Sequence, residues 1–210
     1  MANYQPLSVE FERGSGAWLS DSNGQRYLDA LSGIAVCGLG HAHPAVQKAI
    51  ADQAGSLIHT SNLYRIPLQE KLAEKLVQHS GLDNVFFANS GAEANEAAIK
   101  LARLYAHKKN MNNPVVVVME KSFHGRTMAT LSATGNQKVQ QGFDPLVAGF
   151  RHIPYNDMDA LRAVAEEAHD IAAVMLEPVQ GEGGIVIPDE GYLKAVRQFC
   201  DQEGCLMILD

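Results

Sequence analysis

Residues 84–209 alternate short apolar runs with amphipathic helical segments, and this alternation constrains the fold more than any other feature of the chain. We predict strands at the apolar runs, which lie at 84–88, 114–119, near 150–153, 171–176 and 205–209. The helices between them are predicted over 91–109, 157–168 and 189–203. Such an alternation favours a mostly parallel sheet with helices on both faces, so we assign the chain to the α/β class.

The first part of the chain carries turn and helix-start signals instead. Asp21-Ser22-Asn23-Gly24 separates two apolar-rich runs. Its Asn-Gly pair predicts a hairpin in which both residues of the pair have positive φ. Two helices are expected to begin at prolines and to end before glycines, over 44–53 and 67–79.

Composition narrows the possible partners and the compartment. The net charge is −7, from 17 basic and 24 acidic residues, and no basic stripe indicates nucleic-acid binding. The longest apolar runs are far too short to span a bilayer, and the N-terminus lacks the pattern of a signal peptide. Three cysteines without C-x-x-C spacing indicate free thiols in a reducing compartment, so we expect a cytoplasmic protein.

The stretch 89–95 joins a predicted strand to a predicted helix through a tight turn. Ser90 and Glu93 have the spacing of a capping box, which places the helix start at Ser90. Gly91 and Ala92 leave the first N–H groups of the helix uncovered, and such groups suit a phosphate. An ordinary capped helix with small residues is the simpler alternative. The apolar face expected from the helical spacing consists of Ala94, Ala97, Ala98, Leu101, Ala102 and Tyr105.

Further motifs follow in a fixed order, at 123–127, at 177–184 and at 207–210. With the stretch 89–95 they resemble the class III pyridoxal-phosphate-dependent aminotransferases, which have fold type I. The resemblance runs from about Phe11 to Asp210. The N-terminal half is most similar to the acetylornithine aminotransferase subgroup at three stretches, which are 33–36, 39–44 and 59–64.

The resemblance implies a set of residues that hold pyridoxal 5'-phosphate. Gly91 and Ala92 would bind its phosphate through backbone N–H groups, and Phe123 would stack on its ring. Asp210 would keep the ring nitrogen protonated, which makes it the catalytic residue of this set. Taken singly, Phe123 has the alternative of a core aromatic residue after a strand, and Asp210 that of an ordinary turn after a strand.

The resemblance also implies how substrate is held. Arg126 would clamp the α-carboxylate of the substrate with its planar fork of donors, although alone it would be read as a surface arginine. Glu182 matches the gating glutamate of the family, whereas Glu177 is expected to orient backbone or ring-side groups without a catalytic role. Ile34 stands where ornithine aminotransferases typically carry an aromatic residue with a hydroxyl group, which favours an acylated amine over free ornithine.

The activity implied is transamination of N2-acetylornithine with 2-oxoglutarate, giving the semialdehyde and glutamate in arginine biosynthesis. Succinylornithine and succinyl-diaminopimelate are equally compatible as substrates. Ornithine or 4-aminobutyrate aminotransferases remain alternatives. A non-catalytic phosphate-binding fragment is an alternative of a different class.

We expect residues 1–60 to form the N-terminal segment of a small domain, and 61–210 the N-terminal part of the large, cofactor-binding domain. Because the chain ends on an apolar strand, we expect it to be the N-terminal portion of a longer protein. In the family, the lysine that holds the cofactor as a Schiff base lies downstream of Asp210. Lys121 is the one lysine here with a plausible position near the cofactor, and a surface role is favoured for it. The chain alone is therefore expected to be inactive.

The remaining expectations concern assembly and metals. The resemblance implies a homodimer, with 59–64 near the partner subunit. His41 and His43 are too few ligands for a metal site, and we expect their imidazoles to hydrogen-bond backbone groups.

Overall fold

A computed structural model of the chain describes residues 4–168 and 170–210. Its residues divide into two compact units, one ending at Asp83 and one running from Asn84 to Asp210. The division at residue 60 predicted above refers to the domains of longer family members, and it stays a prediction.

Seven strands and eight helices lie within the described residues. The strands are β1 (Phe11–Ser15), β2 (Trp18–Asp21), β3 (Arg26–Leu28), β4 (Val115–Met119), β5 (Phe150–Ile153), β6 (Ile171–Leu176) and β7 (Leu206–Leu209). The helices are α1 (Ser32–Ala35), α2 (Pro44–Ala54), α3 (Pro67–Ser80), α4 (Gly91–Lys108), α5 (Met128–Ala133), α6 (Gln137–Gln140), α7 (Met158–Glu167) and α8 (Tyr192–Glu203).

The first unit contains an antiparallel sheet of β1, β2 and β3, in which β2 and β3 form the predicted hairpin. The prediction that both residues of the Asn-Gly pair have positive φ is wrong, because only Gly24 does, at +81°. The Asp21 carboxylate explains the difference, since it accepts the N–H groups of Asn23 and Gln25 at 2.9 Å. These bonds, with Gly24 N–H donating to Asp21 O, form a turn closed by a left-handed glycine.

Asp29 and His41 form a hydrogen-bonded pair of side chains in the same unit. His41 Nε2 lies 2.7 Å from Asp29 Oδ2, so its imidazole is bound by a side chain and not by backbone as expected. The other oxygen of Asp29 accepts the N–H groups of Leu31 and Ser32. The hydrogen bond from His41 lowers the pKa of Asp29 below its ordinary value of 3.8, against the opposing effect of burial.

Asp29→Asn should therefore destabilise the protein at neutral pH and have little effect in acid. A carboxyl group with a lowered pKa stabilises the fold above its ordinary pKa, and that contribution is lost as pH falls through the lowered value. Thermal unfolding as a function of pH should show the two proteins converging below pH 3.8. The control is Asp52→Asn, whose side chain is 64% exposed in an ion pair with Lys48. A constant gap between wild type and Asp29→Asn at every pH would contradict this account.

The second unit is built on a four-stranded parallel sheet in the order β5-β4-β6-β7. Alternate residues of β4 face opposite sides of this sheet. Val117 and Met119 pack with α7 and α8, whereas Val116 and Val118 pack with α4 and α5. The predicted parallel sheet with helices on both faces is therefore confirmed.

The predicted strand at 84–88 is wrong, since no strand is formed there. Phe86 is 73% exposed, and within 4–168 and 170–210 no strand pairs with this run. A run of β-branched and aromatic residues supplies strand propensity, but a strand also needs a neighbour for its backbone hydrogen bonds. Sequence pattern alone cannot show whether that neighbour exists.

The buried face of α4 also differs from the prediction. Asn95, Ile99, Ala102 and Ala106 are buried, whereas the expected core residue Leu101 is 63% exposed. The small side chains of Ala102 and Ala106 allow the helix to approach the sheet closely. Alanine is compatible with either face, so the apolar spacing did not fix the rotation of the helix.

Candidate active site

The start of α4 forms an open cradle of backbone donors. Ser90 caps the helix, with Glu93 N–H donating to Ser90 Oγ at 3.2 Å. The Glu93 carboxylate accepts Asn89 N–H at 2.8 Å, one residue earlier than a capping box predicts. Among the described residues, no hydrogen bond uses the N–H of Gly91 or Ala92. Apart from its chain neighbours and the backbone of α4, no atom lies within 4 Å of where a Gly91 Cβ would be. The cradle therefore has donors and space for an anion.

The loop after β4 is held directly against this helix start. Asn95 is buried on α4, and its Nδ2 donates to the carbonyl oxygen of His124 at 2.9 Å. Gly125 has φ +131°, and a Cβ placed on it would lie 2.8 Å from Ala92 Cβ. Only a residue without a side chain permits this approach. The motif at 123–127 and the predicted phosphate cradle at the start of α4 are thus neighbours in space.

Gly125→Ala should displace the loop from α4 and destabilise the protein by about 3 kcal/mol, combining steric overlap with backbone strain. The new Cβ would meet Thr130 Oγ1 at 2.6 Å as well as Ala92. Chemical denaturation measures the loss in the free energy of unfolding. Gly184→Ala is the matched control, because Gly184 also has positive φ, at +107°, with no atom within 4 Å of an added Cβ. Equal losses in both variants would show that the close approach is unimportant.

Asp210 follows β7 and meets the same loop through His124. His124 Nδ1 lies 2.7 Å from Asp210 Oδ2, with the histidine side chain fully buried and the aspartate 25% exposed. The N–H of Asp210 donates to Leu176 O on the neighbouring strand, which fixes its backbone. Asp210 therefore presents a partly open carboxylate at the carboxyl end of a parallel strand, where ligands of α/β sheets bind.

The contacts of His124 favour one tautomer of its imidazole. Its Nε2 is buried, and no partner for it lies within the described residues. A proton on this nitrogen would be a buried donor without an acceptor, which is costly. The tautomer with hydrogen on Nδ1 avoids that cost and donates to the Asp210 carboxylate. The arrangement leaves Asp210 Oδ1 for a ligand.

Glu177 follows β6 and bonds to the backbone of two loops. It is buried, and its oxygens accept the N–H groups of Phe123 at 2.8 Å and Gly181 at 2.9 Å. The expectation that Glu177 orients backbone groups is therefore confirmed.

The remaining predicted residues occupy the rim of this region of the second unit. Phe123 is half-buried, and Arg126 and Glu182 are exposed. Lys121 is exposed, two residues before Phe123, and its φ is +60°.

Sequence reasoning missed Asn95 and His124. Asn95 could have been found as an amide side chain among the small residues of α4. His124 could have been found from its position inside the motif at 123–127.

The chain belongs to the class III aminotransferase family, since the family model described as "Aminotransferase class-III" matches residues 1–210. It is 57% identical to the acetylornithine aminotransferase of Nitrosomonas europaea, over all of this chain and 53% of that protein. The chain thus spans about half the length of the curated relatives it matches.

Solved structures agree with this assignment. An ornithine aminotransferase from Toxoplasma gondii, described with partial occupancy of pyridoxal phosphate at its active site, matches with a TM-score of 0.94 at 33% identity. That match covers 100% of this chain and 50% of the solved one. N-acetylornithine aminotransferase from Stenotrophomonas maltophilia K279a matches with a TM-score of 0.83 at 42% identity, over 100% and 52%. The fold is that of the fold type I pyridoxal-phosphate aminotransferases.

Neither a membrane-spanning helix nor a metal-binding cluster lies within the described residues. No helix in 4–168 or 170–210 is long and apolar enough to cross a membrane. In the same residues, no group of three or more His, Cys, Asp or Glu side chains could hold a metal ion.

Proposed function

We propose that the full-length protein containing this chain is a pyridoxal-phosphate-dependent aminotransferase that acts on N2-acetylornithine and 2-oxoglutarate in arginine biosynthesis. The observation that carries the proposal is the meeting of three elements at one place. The open start of α4 contacts the loop after β4, which carries Phe123; Asn95 of α4 and Gly125 of the loop make this contact. The same loop contacts Asp210 through His124. An anion cradle, an aromatic ring and a carboxylate are thereby brought together.

The residues present fit pyridoxal phosphate. Its phosphate suits the unpaired N–H groups of Gly91 and Ala92 at the positive end of a helix dipole. Its ring nitrogen suits the free oxygen of Asp210, and Phe123 supplies an aromatic face. When bound, the cofactor supplies an electron sink that stabilises negative charge on the substrate carbon.

Asp210 and His124 have separate tasks in this proposal. The Asp210 carboxylate favours a proton on the ring nitrogen, because an opposite charge nearby stabilises the cationic form. His124 donates its Nδ1 hydrogen to the same carboxylate, which holds that carboxylate in one orientation. The buried Asn95 fixes the backbone of His124, so the orientation is determined by the core of the unit.

Arg126 and Glu182 are proposed to contact substrate. The guanidinium of Arg126 offers two parallel donors to a carboxylate, which suits both the amino acid and the oxo acid. Glu182 is proposed as the gating residue of the family. Both side chains are exposed in the described chain, in keeping with contact to a ligand that enters from solvent.

Acetylornithine is favoured over ornithine by two observations. Ile34 offers no hydrogen-bonding side-chain atom, and curated relatives at 57% and 54% identity are named acetylornithine aminotransferases. The structural matches include ornithine aminotransferases, which keeps ornithine as the second candidate. Succinylated diamino acids and 4-aminobutyrate are the further substrates to test.

We also propose a cytoplasmic homodimer. The family resemblance supports this proposal, with the stretch 59–64 near the partner subunit. Light scattering of the active full-length protein tests it, and an active monomer would refute it.

The proposed function is tested by assaying the full-length protein with each amino donor and 2-oxoglutarate, while glutamate formation is followed. We expect the largest kcat/KM with acetylornithine or another acylated donor. A preference for ornithine or 4-aminobutyrate would overturn the substrate assignment. Absence of cofactor absorbance before and after borohydride treatment would instead favour a non-catalytic phosphate-binding protein.

A further inference from the structure

Glu177 lies between two loops to which the proposed function gives different tasks. One loop carries Phe123, proposed to stack on the cofactor ring, and the other carries Glu182, proposed to contact substrate. Glu177 itself is only 7% exposed. Its backbone is fixed as well, because Tyr155 Oη donates to the carbonyl oxygen of Glu177 at 2.8 Å.

The Glu177 carboxylate binds both loops at once, with one oxygen for each. Oε1 accepts Phe123 N–H at 2.8 Å, and Oε2 accepts Gly181 N–H at 2.9 Å. Both oxygens act as acceptors, which is the pattern of an ionised carboxylate. A glutamine has a single acceptor oxygen and would turn an NH₂ group toward one of the two N–H donors.

The loop that begins near Gly181 is closed by hydrogen bonds between its two ends. It also contacts the residues that precede Phe123. Gln180 and Val186 exchange two backbone hydrogen bonds of 3.0 Å. Gln180 Nε2 donates to Glu120 O at 2.9 Å, and a Cβ on Gly183 would lie 2.6 Å from Lys121 O. The two loops are therefore in direct contact, and the Glu177 carboxylate bonds to both of them.

We propose that Glu177 is a positioning residue that couples Phe123 to the turn carrying Glu182, so that cofactor binding and substrate binding depend on one buried carboxylate. This inference rests on the proposed function and deepens it. Glu177 touches neither ligand in this account and acts through the backbone of its two neighbours.

The test uses the full-length protein and its variants Glu177→Gln, Phe123→Leu and Glu182→Gln, together with the two double variants that contain Glu177→Gln. The Kd of pyridoxal phosphate is measured by titration of the apoprotein, and the KM of acetylornithine by steady-state kinetics. Glu177→Gln should raise both constants about tenfold, since each N–H loses a charged acceptor. Glu190→Gln is the control, with the same substitution at an exposed residue.

The double variants separate coupling from general loss of structure. If Glu177 couples the two loops, the Kd of pyridoxal phosphate in the Glu177→Gln, Phe123→Leu double variant should rise by less than the product of the two single effects. The KM of acetylornithine in the Glu177→Gln, Glu182→Gln double variant should behave in the same way. Effects that simply multiply, or single-variant constants within about twofold of wild type, would overturn the inference. Failure of the wild type to bind cofactor would instead refute the proposed function.

A measurement on the wild type covers the case in which Glu177→Gln does not fold. Gly181 is exposed, so its amide should exchange rapidly with solvent unless Glu177 binds it. The structure predicts that the amides of Phe123 and Gly181 are both protected from hydrogen exchange. Rapid exchange at Gly181 would overturn the inference without any variant.

Discussion

Replacing Asp210 with Asn in the full-length protein should lower kcat by about 10²–10³-fold, the usual cost of losing a charge placed at the reacting centre. The amide can still accept the Nδ1 hydrogen of His124, but it carries no charge to favour a protonated ring nitrogen. The cradle at Gly91 and Ala92 is untouched, so cofactor binding should change far less than turnover. The measurement compares kcat with the Kd of the cofactor in one preparation.

Asp159→Asn is the matched control for this experiment. Its side chain is 94% exposed and pairs with Arg162 on the surface of α7. The control should retain wild-type turnover. An Asp210→Asn enzyme with normal kcat would show that the carboxylate after β7 has no part in the chemistry.

The second large effect is expected at Arg126. Arg126→Lys replaces a planar fork of donors with a point charge, which should weaken the binding of both substrates by about 2 kcal/mol. KM should therefore rise about 30-fold for the amino donor and for 2-oxoglutarate, while the Kd of the cofactor changes little. Arg162→Lys on α7 is the control for the substitution. An unchanged KM for both substrates would show that Arg126 does not bind the substrate carboxylate.

Much of the second unit could be predicted because its pattern is strong and local. The apolar runs at 150–153 and 171–176 match β5 and β6 residue for residue. Gly204 ends α8 in the left-handed conformation, as expected for glycine at a helix terminus, and Gly81 ends α3 of the first unit in the same way. Each of these features depends on a few neighbouring residues, so the chain sequence contains the necessary information.

The errors arose where a second, distant segment decides the outcome. The run 84–88 has strand propensity, but pairing requires another strand. The alanines of α4 fit two helix rotations, and the packing of the sheet selects one. His124 was missed as a partner of Asp210 because the two residues lie 86 positions apart. The proposed site residues come from the family resemblance and stay a prediction, whereas the hydrogen bonds that join Asn95, His124 and Asp210 were not foreseen.

The central claim is that the start of α4, Phe123 and Asp210 form one cofactor site. A crystal structure of the full-length protein with pyridoxal phosphate tests it most directly. We predict that the cofactor phosphate accepts hydrogen bonds from the N–H groups of Gly91 and Ala92, and that the ring nitrogen contacts Asp210. A phosphate bound elsewhere, or a ring nitrogen away from Asp210, would contradict the claim.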